Sequence, residues 1–550
     1  MTLFKKHEEK EPHPYIAELK SLYRKEEISR RDFLRNSTLL GLSAAAAYSF
    51  AGSIFPSTAM ASSIRRGGTW KCAMNIKRID HPSRMAWKNG GNLVMQICDF
   101  LTETGNDNVT RPALLEKWNT SEDLKTWDLY LKKGIKFNNS DELTADDVVF
   151  TMGEWLNPDV GSTMLSSMSY LGGPQNVEKV DNYHVRLHLT RPNIAVPEHL
   201  NEISAAILHR NFEGDILKQP VGTGPFVLAE YVEGTRAVLE ARTDHWRIGA
   251  DGKPLPYLDK LIFISMDKDA GFAALQAGQI DNLYRPRTSD VAAARRMPQL
   301  KLSTIPNASC FLTRMRVDQP PWDDNRVRTA LKMCQDRIKI CQLAAYGEGT
   351  ISIDAHVAPI FPDYCEKAIP QYDPMGAKKL LEEYAAEKGI ELPLQVTLSS
   401  KNDRAEPAIA QAFQQLAKPA GFDIKIDLMP SGKYWEVWTE VNLGISDWGH
   451  RSLSIACLRL AYTKSALGKW NETHWVDEEF EDLLEKAEMT IDIKERQKIM
   501  CKIEDIMQER GPVAIPYFGY EHDLSRVGFE NTQPHPSGLY IYARLIWKNG

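Results

Sequence analysis

The chain has 550 residues, of which 43% are hydrophobic and 25% are charged, and its formal net charge is −6. This composition is typical of a soluble globular protein that buries a large core, so it needs neither disulfides nor a metal to hold its fold together. No run of Lys and Arg resembles a nucleic-acid footprint, and nucleic acid is therefore not an expected partner.

The N-terminal region has the pattern of an export signal. Arg30 and Arg31 lie in the motif Ser-Arg-Arg-Asp-Phe-Leu-Arg, and a mildly apolar run from Leu39 to Phe55 leads to a small-x-small sequence that ends at Ala61. This order defines a secretory signal, and the arginine pair marks the twin-arginine (Tat) variant. The alternative, a membrane anchor, needs a longer and more apolar stretch. We expect export by the Tat translocase, cleavage after Ala61 and a mature protein that is free in the periplasm.

All eight cysteines follow the predicted cleavage site. Cys334, Ile338 and Cys341 share one apolar helical face with Val327 and Leu331, provided that the helix is continuous. Cys501 also lies in an apolar set, and a buried free cysteine behaves as a small hydrophobe. We therefore expect mostly free thiols, although an even count in an oxidising compartment also permits disulfides.

Strand and helix patterns alternate after the signal, which predicts an α/β protein whose sheets are covered by helices. Residues 127–131 alternate between apolar and polar side chains, as in a half-buried strand. Thr144 and Asp147 form a predicted capping box, and the helix that follows ends before Pro158.

Two further strands are predicted at 393–399 and 422–428, with a helix at 408–417 between them. A strand, a helix and a strand with this spacing form a βαβ unit, whose strands are parallel. The last predicted helix covers 494–510, and Gly511-Pro512 ends it.

Catalytic motifs are missing from the sequence. There is neither a G-x-S-x-G elbow nor an H-E-x-x-H helix. His184 and His188 are predicted to face outward from a strand, without a third metal ligand nearby. The Gly-rich sequence at 222–226 lacks the features of a nucleotide loop and is interpreted as a tight turn. We expect no enzymatic activity, no metal and no cofactor.

Tryptophan is frequent, with 13 residues. Aromatic side chains can form rigid contacts with an enclosed ligand, although any single Trp is more often part of a core. Several stand in polar, turn-like surroundings: Trp70, Trp87, Trp322, Trp435, Trp438, Trp448, Trp470 and Trp475.

Several motifs follow one another in the order of a known family. They occupy 112–118, 121–123, 127–131, 133–137, 143–150, 220–226, 239–246, 324–331, 336–337 and 477–480. Together they resemble the signatures of the family 5 solute-binding proteins, which are the dipeptide, oligopeptide and nickel binders of ABC importers.

The resemblance implies a two-lobed periplasmic-binding-protein fold of the cluster C type. After the signal peptide at 1–61, lobe one would cover 62–305, with an extra subdomain at about 103–213. Lobe two would cover 306–516, and residues 517–550 would return to lobe one. Two crossing segments, near 304–316 and 514–523, would form the hinge.

The resemblance also indicates where the ligand binds. In peptide-binding relatives, an Asp just after a Trp in a lobe-two turn holds the ammonium group of the peptide. The matching turn here contains Asp447, Trp448, His450 and Arg451, and Arg451 stands roughly where the acid would be. This departure argues against a free amino terminus in the ligand, although Arg451 could also be a solvated loop residue or part of a structural ion pair.

A second candidate cluster, Arg78, Asp80 and His81, follows the first strand of lobe one, where relatives also contact ligand. A plain turn before Pro82 is an equally good interpretation of it. On this reading the chain is a monomeric periplasmic binding protein that delivers a short peptide or a small anionic or zwitterionic solute to an ABC permease with separate ATPase subunits. The alternatives are a secreted hydrolase with an unfamiliar site and a scaffold protein without a small ligand.

Overall fold

The computed structural model describes residues 13–51, 64–85, 87–361, 363–468 and 470–549. The predicted cleavage site at Ala61 lies outside these residues. The chain packs into two compact units, which are treated separately below. Of the described residues, unit 1 contains those up to 284 together with 525–532 and 539–549, and unit 2 contains those within 285–524 and 533–538.

The helices of unit 1 are α1 Tyr15–Arg24, α2 Arg30–Leu39, α3 Ala44–Phe50, α4 Lys88–Ile97, α5 Ala145–Leu156, α6 Met164–Ser167, α7 Val196–His199 and α8 Lys268–Gln276. Its strands are β1 Thr69–Ala73, β2 Thr102–Thr104, β3 Thr110–Pro112, β4 Leu115–Thr120, β5 Thr126–Leu131, β6 Val177–Asp181, β7 His184–His188, β8 Phe226–Val232, β9 Arg236–Ala241, β10 Lys260–Ile264 and β11 Asn282–Leu283.

Unit 2 begins with α9 Thr288–Ala294, β12 Leu300–Met315, α10 Asn325–Met333, α11 Arg337–Ala345, β13 Gly349–Ile351, α12 Pro374–Lys388, β14 Leu394–Lys401, α13 Glu406–Ala417 and β15 Phe422–Met429. It continues with α14 Ser431–Val437, β16 Leu443–Trp448, α15 Ser454–Tyr462, α16 Glu478–Met489, α17 Ile493–Arg510, β17 Val513–Ala514 and β18 Tyr517–Arg526. The strands β19 Phe529–Glu530 and β20 Trp547–Lys548 belong to unit 1.

Unit 1 contains a mixed sheet and a separate antiparallel sheet. In the mixed sheet β1 is parallel to β10 and β11, and β10, β9 and β8 follow as antiparallel neighbours. The antiparallel sheet has the order β4-β5-β7-β6 and lies within the predicted subdomain. Helix α5 packs beside this second sheet, and its inward side chains Val148, Met152 and Trp155 are fully buried.

The predicted strand, capping box and helix of unit 1 are confirmed. The alternating segment forms strand β5, and the capping box of Thr144 and Asp147 opens helix α5, which ends at Leu156 before Pro158. Strand β7 turns Val185 and Leu187 inward and leaves His188 exposed. The predicted outward position of His184 is wrong, because its side chain is only 11% exposed and pairs with the buried Asp128.

The sheet of unit 2 has the strand order β15-β14-β16-β12-β18. Strand β14 is parallel to β15 and to β16, and β12 is antiparallel to β16. Helix α13 connects β14 to β15, so the predicted βαβ unit is confirmed. The predicted last helix is also confirmed as α17, which Gly511 ends.

The cysteine predictions are partly wrong. The helix through Cys334 is not continuous, because α10 ends at Met333 and α11 starts at Arg337. This break turns Ile338 outward, where it is 62% exposed, while Cys334 stays buried. Cys501 forms a disulfide with Cys365, whereas the other six cysteines are buried and form no disulfide, so most cysteines are thiols as predicted.

The predicted lobe boundaries at 305 and 516 stay a prediction, because the two units describe how the chain packs rather than how it moves. No helix in the part of the chain that the structure describes has both the length and the apolar character to cross a membrane.

Candidate functional site

The turn that contains Asp447 and Arg451 follows the carboxyl end of a strand. Because β14, β15 and β16 are parallel, their last residues Lys401, Met429 and Trp448 lie at one edge of the unit 2 sheet. In open α/β sheets, ligands bind outside the carboxyl ends of the strands. The predicted ligand-binding turn is therefore on the edge where a binding site is expected.

Asp447 is already occupied by two cations. Its carboxylate accepts a hydrogen bond from Lys401 Nζ at 2.5 Å and pairs also with Arg404. Burial alone would raise the pKa of Asp447, but the charges and hydrogen bonds of Arg404 and Lys401 outweigh it and hold that pKa well below its usual range. The carboxylate stays ionised and serves the packing of this edge.

Arg451 has no such partner. Its guanidinium donates only long hydrogen bonds, at 3.4 Å, to the backbone carbonyls of Gly449 and His450. Among the described residues, no carboxylate forms an ion pair with this half-buried side chain. The nearby His356 is neutral, because burial and the positive charge of Arg451 lower the pKa of its imidazole to about 3, so it cannot compensate the guanidinium. The turn thus carries a positive charge that the surrounding protein leaves uncompensated.

Trp448 and His450 hold the turn in place. Both side chains are buried. The Trp448 indole N–H donates to Glu472 Oε1 at 2.8 Å. Nδ1 of His450 accepts from the backbone N–H of Ala308 at 3.2 Å, and its own backbone N–H donates to Ser309 Oγ at 3.0 Å. These bonds fix the backbone that carries Arg451.

The turn of unit 1 is different, because its charges are paired locally. Arg78 is 57% exposed and donates to Asp215 at 2.9 Å. Asp80 accepts a hydrogen bond from Arg84, one helical turn further on, also at 2.9 Å. Both charges are thus neutralised within unit 1, and the predicted ligand contact there stays a prediction.

His81 is a buried part of the same turn. Its Nε2 lies 2.9 Å from Glu154 Oε2, and its Nδ1 accepts from the backbone N–H of Ser83. The ring also packs edge-to-face on Phe212. The imidazole therefore caps the short 3-10 helix that follows it.

Sequence reasoning flagged single tryptophans but missed that four of them form a connected row in unit 2. Trp435 contacts Trp438, Trp438 contacts Trp470 and Trp470 contacts Trp448, with ring centroids 5.4, 6.1 and 5.9 Å apart. Trp435 and Trp470 are 39% and 44% exposed. Lys401 Nζ lies 4.7 Å from the centre of the Trp435 ring, which joins the row to the charged edge.

A metal site is not found. Within the described ranges, no three side chains of His, Cys, Asp or Glu are arranged to hold an ion. The two histidines of β7 are each engaged by a carboxylate instead, the largely covered His184 by Asp128 and the exposed His188 by Glu178.

Comparison with known proteins identifies the family. The sequence profile described as "Bacterial extracellular solute-binding proteins, family 5 Middle" matches residues 109–454, which is well over half of the chain. The chain belongs to this family. As a family 5 protein, it is the solute-binding component of an ABC importer rather than an enzyme, and this overturns the hydrolase alternative.

Curated relatives support a periplasmic location for this chain, and solute-binding proteins of its family work with ABC permeases. The dipeptide-binding protein of Escherichia coli K12 is 28% identical over 437 residues, which cover 74% of this chain and 80% of the relative.

Solved structures confirm the predicted two-lobed binding-protein fold. DppA from Helicobacter pylori, in complex with the peptide STSA, matches with a TM-score of 0.76 and 20% identity, over 88% of this chain and 99% of that one. AgaA from A. tumefaciens R10, in complex with agropinic acid, matches with a TM-score of 0.75, 20% identity and the same coverage.

Proposed function

We propose that this family 5 protein captures a small solute that carries a carboxylate, and that Arg451 binds that carboxylate. The observation that carries the proposal is the uncompensated guanidinium at the carboxyl edge of the unit 2 sheet. A planar guanidinium can hold a carboxylate through two parallel hydrogen bonds, which a point charge cannot do.

The pairing of Asp447 supports the same ligand chemistry. An ammonium group needs a free carboxylate, but Asp447 already serves Lys401 and Arg404. An ammonium placed beside Arg451 would also meet a like charge in a partly desolvated position, which is unfavourable. A peptide that presents its amino terminus to this turn is therefore the poorer fit.

A short peptide remains the second candidate ligand, because relatives are named as dipeptide-binding proteins. A peptide could still bind in the reverse direction, with its terminal carboxylate on Arg451. The exposed faces of Trp435 and Trp470 offer apolar surface for the uncharged part of either kind of ligand.

Native mass spectrometry of protein purified from a periplasmic extract tests the proposal. We expect one ligand per chain, with an acidic group in the released compound and an unchanged mass after long incubation. The variant Arg451→Ala should come out of the same preparation largely empty. Arg326→Ala is the matched control, because Arg326 also lies in unit 2 but pairs with Asp324. A co-purified ligand without an acidic group would overturn the assignment.

We also propose that the chain is exported by the Tat translocase and is a monomer in the periplasm. The arginine pair and the apolar run that follows support the route. Exchanging Arg30 and Arg31 for Lys should leave the protein unprocessed in the cytoplasm, as followed by fractionation and immunoblotting. Normal appearance of the mature form would contradict the route.

A further inference from the structure

Residues 13–51 are folded in the structure, and 13–28 belong to a polar part that a signal peptide does not need. Helices α1, α2 and α3 pack on one another through an aromatic cluster in which Phe33 lies 5.1 Å from Tyr23 and 5.2 Å from Phe50, measured between ring centroids. Leu19 and Leu22 of α1 are buried in the same place. The polar segment therefore supplies a helix that covers the apolar side of α2.

Helix α2 is also bound to the body of unit 1. Arg35 donates to Glu198 Oε1 at 2.9 Å, and the two side chains are only 1% and 3% exposed. The indole N–H of Trp118 donates to the backbone carbonyl of Leu39 at 2.9 Å. Removing either partner of this buried pair would destabilise the packing of α2, because the remaining charge would be buried without compensation.

The turn after α2 fits the same surface closely. Gly41 has a φ of +94°, and a Cβ at this position would lie 2.8 Å from the backbone oxygen of Trp118. Further along, Tyr48 of α3 is hydrogen-bonded to Asp107 and Arg111. Contacts therefore extend from α2 to α3.

The export motif is divided by this packing. Residues 33–40 are buried, whereas Arg30 and Arg31 are exposed at the start of α2. Ser29 caps α2 and forms a capping box with Asp32, which fixes the start of the helix at the arginine pair. Residues 33–40 are covered while the arginine pair stays accessible.

We propose that the face of unit 1 formed by Trp118, Glu198 and Asp107 is a docking surface for the chain's own residues 13–51, and that docking restrains export of the folded precursor. Trp118 and Glu198 lie on β4 and α7 and come together only when unit 1 has folded. Docking would therefore form only on the folded protein and keep residues 33–40 from water. The docking itself is independent of the ligand and of the export route; only the restraint on export rests on the proposed Tat pathway.

Hydrogen–deuterium exchange on the full-length, unprocessed chain tests the docking. We expect slow exchange of the amides of 33–40 in the wild type and at least tenfold faster exchange in Glu198→Gln. Glu202→Gln is the matched control, because Glu202 accepts from Ser167 Oγ on the same segment. Trp118→Phe keeps a ring in place but removes the bond to Leu39, and should speed exchange at least threefold. This variant tests the docking independently in case Glu198→Gln disturbs unit 1 as a whole. Wild-type exchange at the rate of an unfolded peptide, or no effect of either variant, overturns the docking.

Pulse–chase labelling tests the restraint separately. Glu198 lies outside the export motif, so its exchange for Gln leaves the motif intact. We expect processing of Glu198→Gln to be at least threefold faster than that of Glu202→Gln. Equal processing rates overturn the restraint on export.

Discussion

The turn 447–451 of unit 2 and the turn 78–81 of unit 1 carry similar charges in the sequence but differ in how those charges are paired. In unit 1, Arg78 and Asp80 each have an opposite charge close by. In unit 2, Asp447 has two cations while Arg451 has no acid among the described residues. The first turn is electrostatically complete, and the second lacks one negative charge.

The difference shows what a candidate binding residue needs besides its type. A charge with a protein partner stabilises the fold, and removing it costs stability. A charge that the protein leaves uncompensated costs stability until something else neutralises it, and a bound ligand can do so. The following predictions test this contrast, from the largest expected effect to the smallest.

Arg451→Ala should weaken binding of the co-purified ligand at least thirtyfold. Truncating one partner of a buried charged pair costs about 2–5 kcal/mol of binding free energy. Isothermal titration with the ligand identified by mass spectrometry gives the affinity. Arg451→Lys should recover only part of the loss, because an ammonium lacks the planar fork. An Ala variant that binds within threefold of the wild type would make Arg451 an ordinary loop residue.

Asp447→Asn should lower the free energy of unfolding by about 2 kcal/mol, since it leaves Arg404 without its carboxylate and Lys401 with Glu406 as its remaining acidic partner. The estimate is below that for a fully buried pair, because the Asp447 side chain is 26% exposed. The lowered pKa of Asp447 gives the pH dependence. Its contribution is fully present above about pH 4, the unfolded pKa, and is lost as the pH falls through the lower folded pKa.

Urea denaturation at several pH values measures this effect. Wild type and Asp447→Asn should differ most at neutral pH and converge in strong acid. An equal difference at pH 7 and pH 2 would contradict the pairing of Asp447 described above.

His81→Ala should cost about 1–2 kcal/mol of stability, because it removes the bond to Glu154 and the ring contact with Phe212. Ligand affinity should stay within threefold of the wild type. Thermal unfolding followed by circular dichroism and titration on the same sample separate the two effects. A large loss of affinity at unchanged stability would place His81 at the ligand.

Arg78→Ala should have the smallest effect, below about 0.5 kcal/mol, since its pair with Asp215 is exposed on the Arg side. Affinity should again be unchanged. A tenfold weaker affinity in this variant would remove the contrast between the two turns.

The sequence contained enough information to predict features that depend on neighbouring residues. The capping box of Thr144 and Asp147 and the βαβ unit from β14 to β15 are confirmed with shifts of one or two residues. The turn 447–451 was found through family resemblance at the position that the structure places at the carboxyl edge.

Features that depend on distant residues were missed. The partners of Asp447 come from the end of β14 and the turn after it, more than 40 residues away, so nothing near Asp447 in the sequence announces them. The helix break before Asp336 was missed because apolar spacing continued across it. The bond between Cys365 and Cys501 spans 136 residues and has no local signature.

The disulfide between Cys365 and Cys501 has a consequence for the stability of unit 2 before and after export. A covalent link between residues 136 positions apart removes chain entropy from the unfolded state, worth about 5 kcal/mol in the loop-closure picture. Disulfides persist in oxidising compartments and are rare in the cytosol. On the Tat route, unit 2 would have to fold without its bond and acquire it only after crossing the membrane. Unit 2 would then unfold more readily inside the cell, before the disulfide forms, than outside it.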